Sequence, residues 1–202
     1  MTPDKPAPAT RERLVAAMLE ALRTRGYHGV GLTEVLAAAG APKGVLYHHF
    51  PGGKAELAVH AVEAVVARLC ADLDKLLEHS ADPVEAMSAW MNSAQKVLEK
   101  SGFERGCPLA TIALESTPQD EAIRSALARG FAQLRQRLCR VLANAGLAEP
   151  QARGLAALIV SAYEGALLQA RVAGSTQAMR ETSMALIELV ALRLREAGST
   201  RE

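Results

Sequence analysis

The stretch GLTEVLAAAGAPKGVLYHHFPGGKAEL, residues 31–57, decides how the rest of the chain is read. Two short segments, TEVLAAAG and PKGVLYHHF, flank a small-residue turn, and PGG at 51–53 stops the second. Thr33 is placed to cap the first segment, Glu34 suits the positive end of its dipole, and Gly40 closes it. Pro42 has the fixed φ of a first-turn proline, so a helix is expected from there. Two short helices joined by a glycine-containing turn make a helix-turn-helix candidate, a pattern that generic helical hairpins share.

Two rival readings of these residues fail on chemistry. A metal site needs converging ligands, whereas His48 and His49 project about 100° apart on a helix, with no Cys, Asp or Glu at a useful spacing. A nucleotide-binding loop needs G-x-x-x-x-G-K-[ST]. Here His48 stands five before Gly53, Ala55 follows Lys54, and no strand precedes them.

Outward from this stretch the chain reads as helix throughout. It has 202 residues, half of them hydrophobic and only 3% aromatic, with alanine and leucine dominant. That composition favours helices over sheets, which use more β-branched and aromatic residues. Apolar periodicity and Gly/Pro breaks predict helices at about 10–25, 34–40, 42–50, 54–79, 83–100, 108–116, 119–145, 150–173 and 176–197. Thr10 is the expected cap of the first. The result is an all-α chain with three short helices forming a head on a larger helical body. No apolar run approaches the roughly 18 residues of a membrane span. MTPDKPAPAT lacks the apolar centre of a signal peptide, so a tail over 1–9 and a cytoplasmic protein with no membrane partner are expected.

Charge permits nucleic acid without demanding it. Up to Phe50 there are six Lys/Arg and four acids, a balance of +2, and the remainder carries −1, for a total of +1. Cys70, Cys107 and Cys139 are widely spaced and read as small buried thiols. No paired-carboxylate, Ser/His/Asp or metal-ligand spacing is present, and His28, His60 and His79 are scattered. An enzyme, a cofactor and a metal are therefore not expected.

Residues 31–57 closely resemble the DNA-binding signature of the TetR family of transcriptional repressors. The shared features are a Thr-initiated helix, a small-residue turn, Lys-Gly, an apolar residue, Leu-Tyr-His, Phe, a break and a following Lys. GAPKGVLYHHFPGGK is most similar to the LmrA/YxaF-type branch, and GCPLATIALES at 106–116 extends that likeness into the body. The resemblance implies a nine-helix TetR-like fold. Its parts would be a helix-turn-helix domain over 10–53, a ligand-binding and dimerisation domain over 54–197 with a four-helix bundle between two copies, and a short tail over 198–202. It also implies a homodimer on double-stranded operator DNA and a small-molecule effector. The branch suggests a planar aromatic or lipophilic compound.

Under this reading each residue has a physical task. Lys43 and the Thr33 hydroxyl approach phosphates at helix starts, and Lys54 clamps another at the start of the fourth helix. Gly44 lets the backbone come near the duplex, Val45 offers a methyl surface to thymine, and Tyr47 and His48 face phosphates or base edges. Leu46 and Phe50 form the opposite, core face, and His49 is expected to pack. Pro42 and Val45 depart from the commoner Ser and Thr of the family.

In the body, Trp90, Phe103, Phe131 and Tyr163 suggest a pocket between helices, with Met87, Met91 and Met179 as adaptable walls and Cys107 and Asn92 as polar candidates. Core filling is the alternative for each. Small residues at Ala162, Gly165 and Ala166, with Ile187, Val190 and Leu194 on an apolar ninth helix, suggest a self-complementary dimer surface. Coupling is expected through the fourth helix, whose start lies near DNA and whose later turns adjoin the body. An effector-independent architectural or interaction protein that binds DNA remains the second reading.

Overall fold

Leucine and alanine periodicity resolves into helices alone in the computed structural model, which describes residues 9–80 and 82–199. Among the described residues there are nine: α1 (Thr10–Arg25), α2 (Leu32–Ala38), α3 (Lys43–His49), α4 (Gly53–His79), α5 (Pro83–Lys100), α6 (Pro108–Glu115), α7 (Glu121–Asn144), α8 (Glu149–Ala173) and α9 (Gln177–Ser199). The all-α expectation holds, with most helix ends within two residues of the predicted positions. Residues 1–8 of the expected N-terminal tail lie outside the described residues, and α9 continues through 198–199, where a tail was expected.

Three caps differ from expectation. Ala9, not Thr10, precedes α1, and Thr10 accepts a bond from Arg13 Nη2 at 3.3 Å. Gly31 precedes α2, so Thr33 sits inside its first turn and makes no cap bond. Pro42 is the residue before α3, at φ −70° and ψ 153°, one position earlier than a first-turn proline.

The turn between α2 and α3 is set by Gly40. Its φ of 58° is left-handed, and Gly40 N–H donates to Ala37 at 3.1 Å while Ala41 N–H donates back to Leu36 at 3.0 Å. Those two reverse bonds satisfy the last carbonyls of α2, and buried Leu36 and Ala41 close the turn. Arg13 Nε donates to the Ala39 carbonyl at 3.0 Å, fixing α1 to the same turn.

One hydrophobic core joins head and body. Leu14, Met18 and Leu22 of α1 meet Val35, Leu46, Phe50 and Leu57 in a cluster that continues through α4 into α7 and α8. The boundary expected between 53 and 54 therefore falls within the first turn of α4, a helix shared by both parts. The 25-residue α8, expected at 150–173, begins one residue earlier. Its most apolar window reaches a mean hydropathy of 1.3, enough by length and composition to cross a membrane. Here one face of it, including Leu155, Ile159, Ala166 and Ala170, is buried, and the helix packs on α7 and α9.

At the α4–α7 crossing a Cβ on Gly130 would lie 2.9 Å from Val66 Cγ2, so glycine sets the approach. Gly130→Ala is expected to lower stability by about 1–2 kcal/mol through overpacking. Gly154→Ala on the open side of α8, where a Cβ meets nothing within 4 Å, is expected to raise it by about 0.5–1 kcal/mol. Urea denaturation of both variants measures the contrast.

Candidate nucleic-acid interface and body cavity

On α3, Leu46 and Phe50 are fully buried and anchor the helix. The opposite face carries Lys43, Gly44, Tyr47 and His48, all exposed, with Val45 half-buried beside them. A Cβ on Gly44 would meet no atom of the described residues within 4 Å, so none of them requires glycine there. His49 is half-buried, with its ring 5.1 Å from that of His48. Thr33 is exposed on the first turn of α2, and no hydrogen bond from another described residue holds its hydroxyl.

Lys54 points elsewhere. Its Nζ lies 4.5 Å from the centroid of Tyr27 in the α1–α2 connector, a cation–π contact worth about 0.5–1 kcal/mol. Partial burial lowers its pKa, opposed by Glu115 and Asp120. Those acids hold the same connector to the body. Glu115 Oε2 accepts the His28 N–H at 3.0 Å, and His28 Nε2 stands 3.2 Å from Asp120 Oδ2. Gly26, at φ 68°, ends α1 where a Cβ would overlap the Glu115 carboxylate.

The body holds a cavity of about 320 Å³ bounded by α1, α4, α5, α7, α8 and the α5–α6 segment. Trp90 and Tyr163 face each other across 5.9 Å at 29° and form its aromatic wall. Both rings are tied by their polar atoms: Trp90 Nε1 donates to the Leu69 carbonyl at 3.2 Å, and Tyr163 Oη to that of Met91 at 3.2 Å. Burial pushes the Tyr163 hydroxyl pKa up. Cys107 also lines the cavity beside Glu164. Burial, then the Glu164 charge, pushes its thiol well above the usual range, which makes it a poor nucleophile. Burial likewise raises the Glu164 carboxyl, whose Oε2 has no hydrogen-bond partner among the described residues.

Of the nine expected pocket residues, Trp90, Cys107 and Tyr163 line this cavity. Met87 and Met91 are sealed in the core, Met179 likewise, and Asn92 faces outward. Phe131 lines a separate depression with Leu127 and Pro118. Phe103 is a partly buried turn residue at φ 66°, packed against the core. Sequence reasoning missed Arg23, Arg68, Asp72, Arg105 and Glu164. Glu164 left a signal, being a lone acid one turn from Val160 and Leu167 on the buried side of α8. The arginines left none, because only helix packing brings them together.

The dimer expectation also needs correction. Ala166 and Val190 are 1% and 0% exposed within the subunit, turned inward by the helical period, and leave nothing for a second copy. Ala162, Gly165, Ile187 and Leu194 are partly exposed. The open apolar residues nearby are Leu158, Leu168 and Val172 on α8 and Met184 and Leu192 on α9. Among the described residues no three His, Cys, Asp or Glu side chains are grouped to hold a metal ion.

Comparison with known proteins matches two family profiles. Residues 14–61 match bacterial regulatory proteins of the tetR family, and residues 83–185 match the C-terminal domain of LmrA/YxaF-like transcriptional regulators. The HTH-type transcriptional regulator YxaF of Bacillus subtilis is 32% identical over 79% of this chain and 83% of its own length. LmrA of the same organism is 26% identical over 90% of this chain and 96% of its own. A crystal structure of regulatory protein TetR from Rhodobacter sphaeroides superposes with a TM-score of 0.77 at 27% identity, covering 89% of this chain and 97% of that one.

Glu164 yields a pH prediction. Its folded pKa lies above the ordinary 4.5, so the native chain holds this proton more firmly than the unfolded chain. Its contribution to stability is therefore complete below that value and is lost as pH rises through the folded pKa. Glu164→Gln is expected to melt higher than the wild type at about pH 8 and to match it at about pH 4, read by calorimetry.

Proposed function

This chain belongs to the TetR family of bacterial regulatory proteins, in its LmrA/YxaF-like branch, and on that premise we propose that it is an operator-binding repressor released by a planar aromatic effector. TetR-family regulators are DNA-binding repressors, often ligand-responsive, and act as homodimers. In the reading offered here, Lys43, Tyr47 and His48 engage phosphates and base edges, Gly44 admits the backbone, and Val45 meets a thymine methyl. Lys54 leaves Tyr27 to reach a phosphate, and the Thr33 hydroxyl takes another. The effector packs its ring against the wall that the stacked Trp90 and Tyr163 present to the cavity.

The observation that carries this reading is the double use of α4. Lys54 stands at its head end, and Val65, Arg68, Leu69 and Asp72 line the cavity. The two sites are therefore about 16 Å apart on one rigid rod. A ligand that alters the tilt of α4 changes the separation of two recognition helices, which a dimer must hold about 34 Å apart to fit successive major grooves. The second copy is assigned to the stripe Leu158, Ala162, Gly165, Leu168 and Val172, where helical spacing aligns small and apolar side chains on the open side of α8.

Gel-shift titration on the DNA flanking its own gene tests the repressor. A salt-sensitive, sequence-specific complex is expected, and equal affinity for random DNA sinks the reading. Gly44→Ala is expected to keep or raise thermal stability by about 0.5–1 kcal/mol while weakening that complex. Lys43→Ala is expected to weaken all sequences alike and to reduce the salt slope by about 1. Leu168→Asp is expected to give a folded monomer by light scattering, with operator binding lost. A dimer of unchanged stability would overturn the α8 assignment.

A further inference from the structure

Three arginines from three elements meet at the body cavity: Arg23 of α1, Arg68 of α4 and Arg105 of the α5–α6 segment. Two of them are compensated. Arg105 Nε donates to Glu20 Oε1 at 2.7 Å, and Arg68 Nε stands 3.7 Å from Asp72 Oδ2 one turn along α4. Arg23 makes no hydrogen bond or ion pair with any described residue. The acid acting most strongly on it, Glu20, is already bonded to Arg105, while both neighbouring guanidiniums repel it. Burial, with that repulsion, lowers its pKa. The other acid of the cavity, Glu164, is held toward its uncharged form by burial. Three guanidiniums thus face two paired carboxylates beside an aromatic slot, and a cation is left without its counter-charge.

Resting on the reading of this cavity as the effector site, we propose that the effector is an aromatic carboxylic acid, its ring against Trp90 and Tyr163 and its carboxylate received by Arg23 between Arg68 and Arg105. A guanidinium presents paired donors that match a carboxylate fork, and such charge-assisted bonds are strongest where water is thinned out by burial. Arg23 follows Leu22, which is sealed in the head core, so the carboxylate is gripped by the head as well as by α4. It also competes with Glu20 for Arg105 and thereby loosens an ion pair between α1 and the body. Neutral lipophilic compounds can fill the slot without touching that pair.

Calorimetric titration of the full chain with benzoate, naphthoate and anthroate, each paired with its neutral amide, tests the assignment. Wild type is expected to bind the best acid about tenfold more tightly than its amide, as one charge-assisted bond requires. Arg23→Gln is expected to bring that ratio to near one with amide affinity unchanged, and Arg23→Lys to keep part of the preference. Arg68→Gln gives a second variant, expected to reduce the ratio, should either Arg23 change impair folding. Amide binding equal to acid binding in the wild type, or an undiminished ratio in both glutamine variants, overturns the proposal and leaves an aromatic effector standing. Failure of every acid and every amide to bind overturns both.

Discussion

The rest of the structure depends on the burial of one helix by two partners. The stripe of α4 that includes Leu57, Ala61, Val62, Val65 and Val66 is covered by α1 at its start and by α7 further along. Each large side chain removed from water there is worth about 1.5–3 kcal/mol, and neither head nor body covers the stripe alone. The small residues matter as much. Ala58 and Ala61 are fully buried, and Gly130 brings the α7 backbone onto Val66, so the crossing is tight and passes displacement on.

Around that rod the head is fastened at few points, most of them polar. Glu115 and Asp120 take hold of His28, Arg105 takes hold of Glu20, and Arg171 Nη2 reaches the Thr24 carbonyl at 3.5 Å. Half-exposed pairs of this kind are worth little individually. A joint with a firm apolar axis and weak polar fastenings is rigid along α4 and adjustable around it. Lys54 takes part in the same joint through Tyr27, so a residue expected to bind phosphate also helps to set the resting position of the connector.

The cavity follows a related logic. Trp90 and Tyr163 are buried and stacked on each other, and their polar atoms bond to carbonyls of Leu69 and Met91, which fixes the pair as one wall of the cavity. Helix α4 supplies apolar wall and charge together through Val65, Leu69, Arg68 and Asp72. Shape and charge of the cavity thus sit on the same element that packs against the head.

Local features were legible in the chain itself. Helix periods, the breaks at Gly26, Gly40 and PGG, the core pair Leu46 and Phe50, and the outward face of Lys43, Gly44, Tyr47 and His48 follow from spacing, because a helix fixes which residues share a side. The caps at Thr10, Thr33 and Pro42 were each misplaced by one or two residues, since a cap depends on where the preceding backbone turns. What joins remote residues was not legible. Aromatic content drew Phe103 and Phe131, and side-chain adaptability drew Met87 and Met91, into the expected pocket, yet the tertiary packing sends them to a turn, a side depression and the closed core. Ala166 and Val190 turned inward for the same reason. The sequence by itself determined the helices and the outward face of α3, both set by neighbours within a few residues. Only tertiary structure decided that Arg23, Arg68 and Arg105 face one another, because packing of α1 against α4 brings together charges that the chain keeps dozens of residues apart.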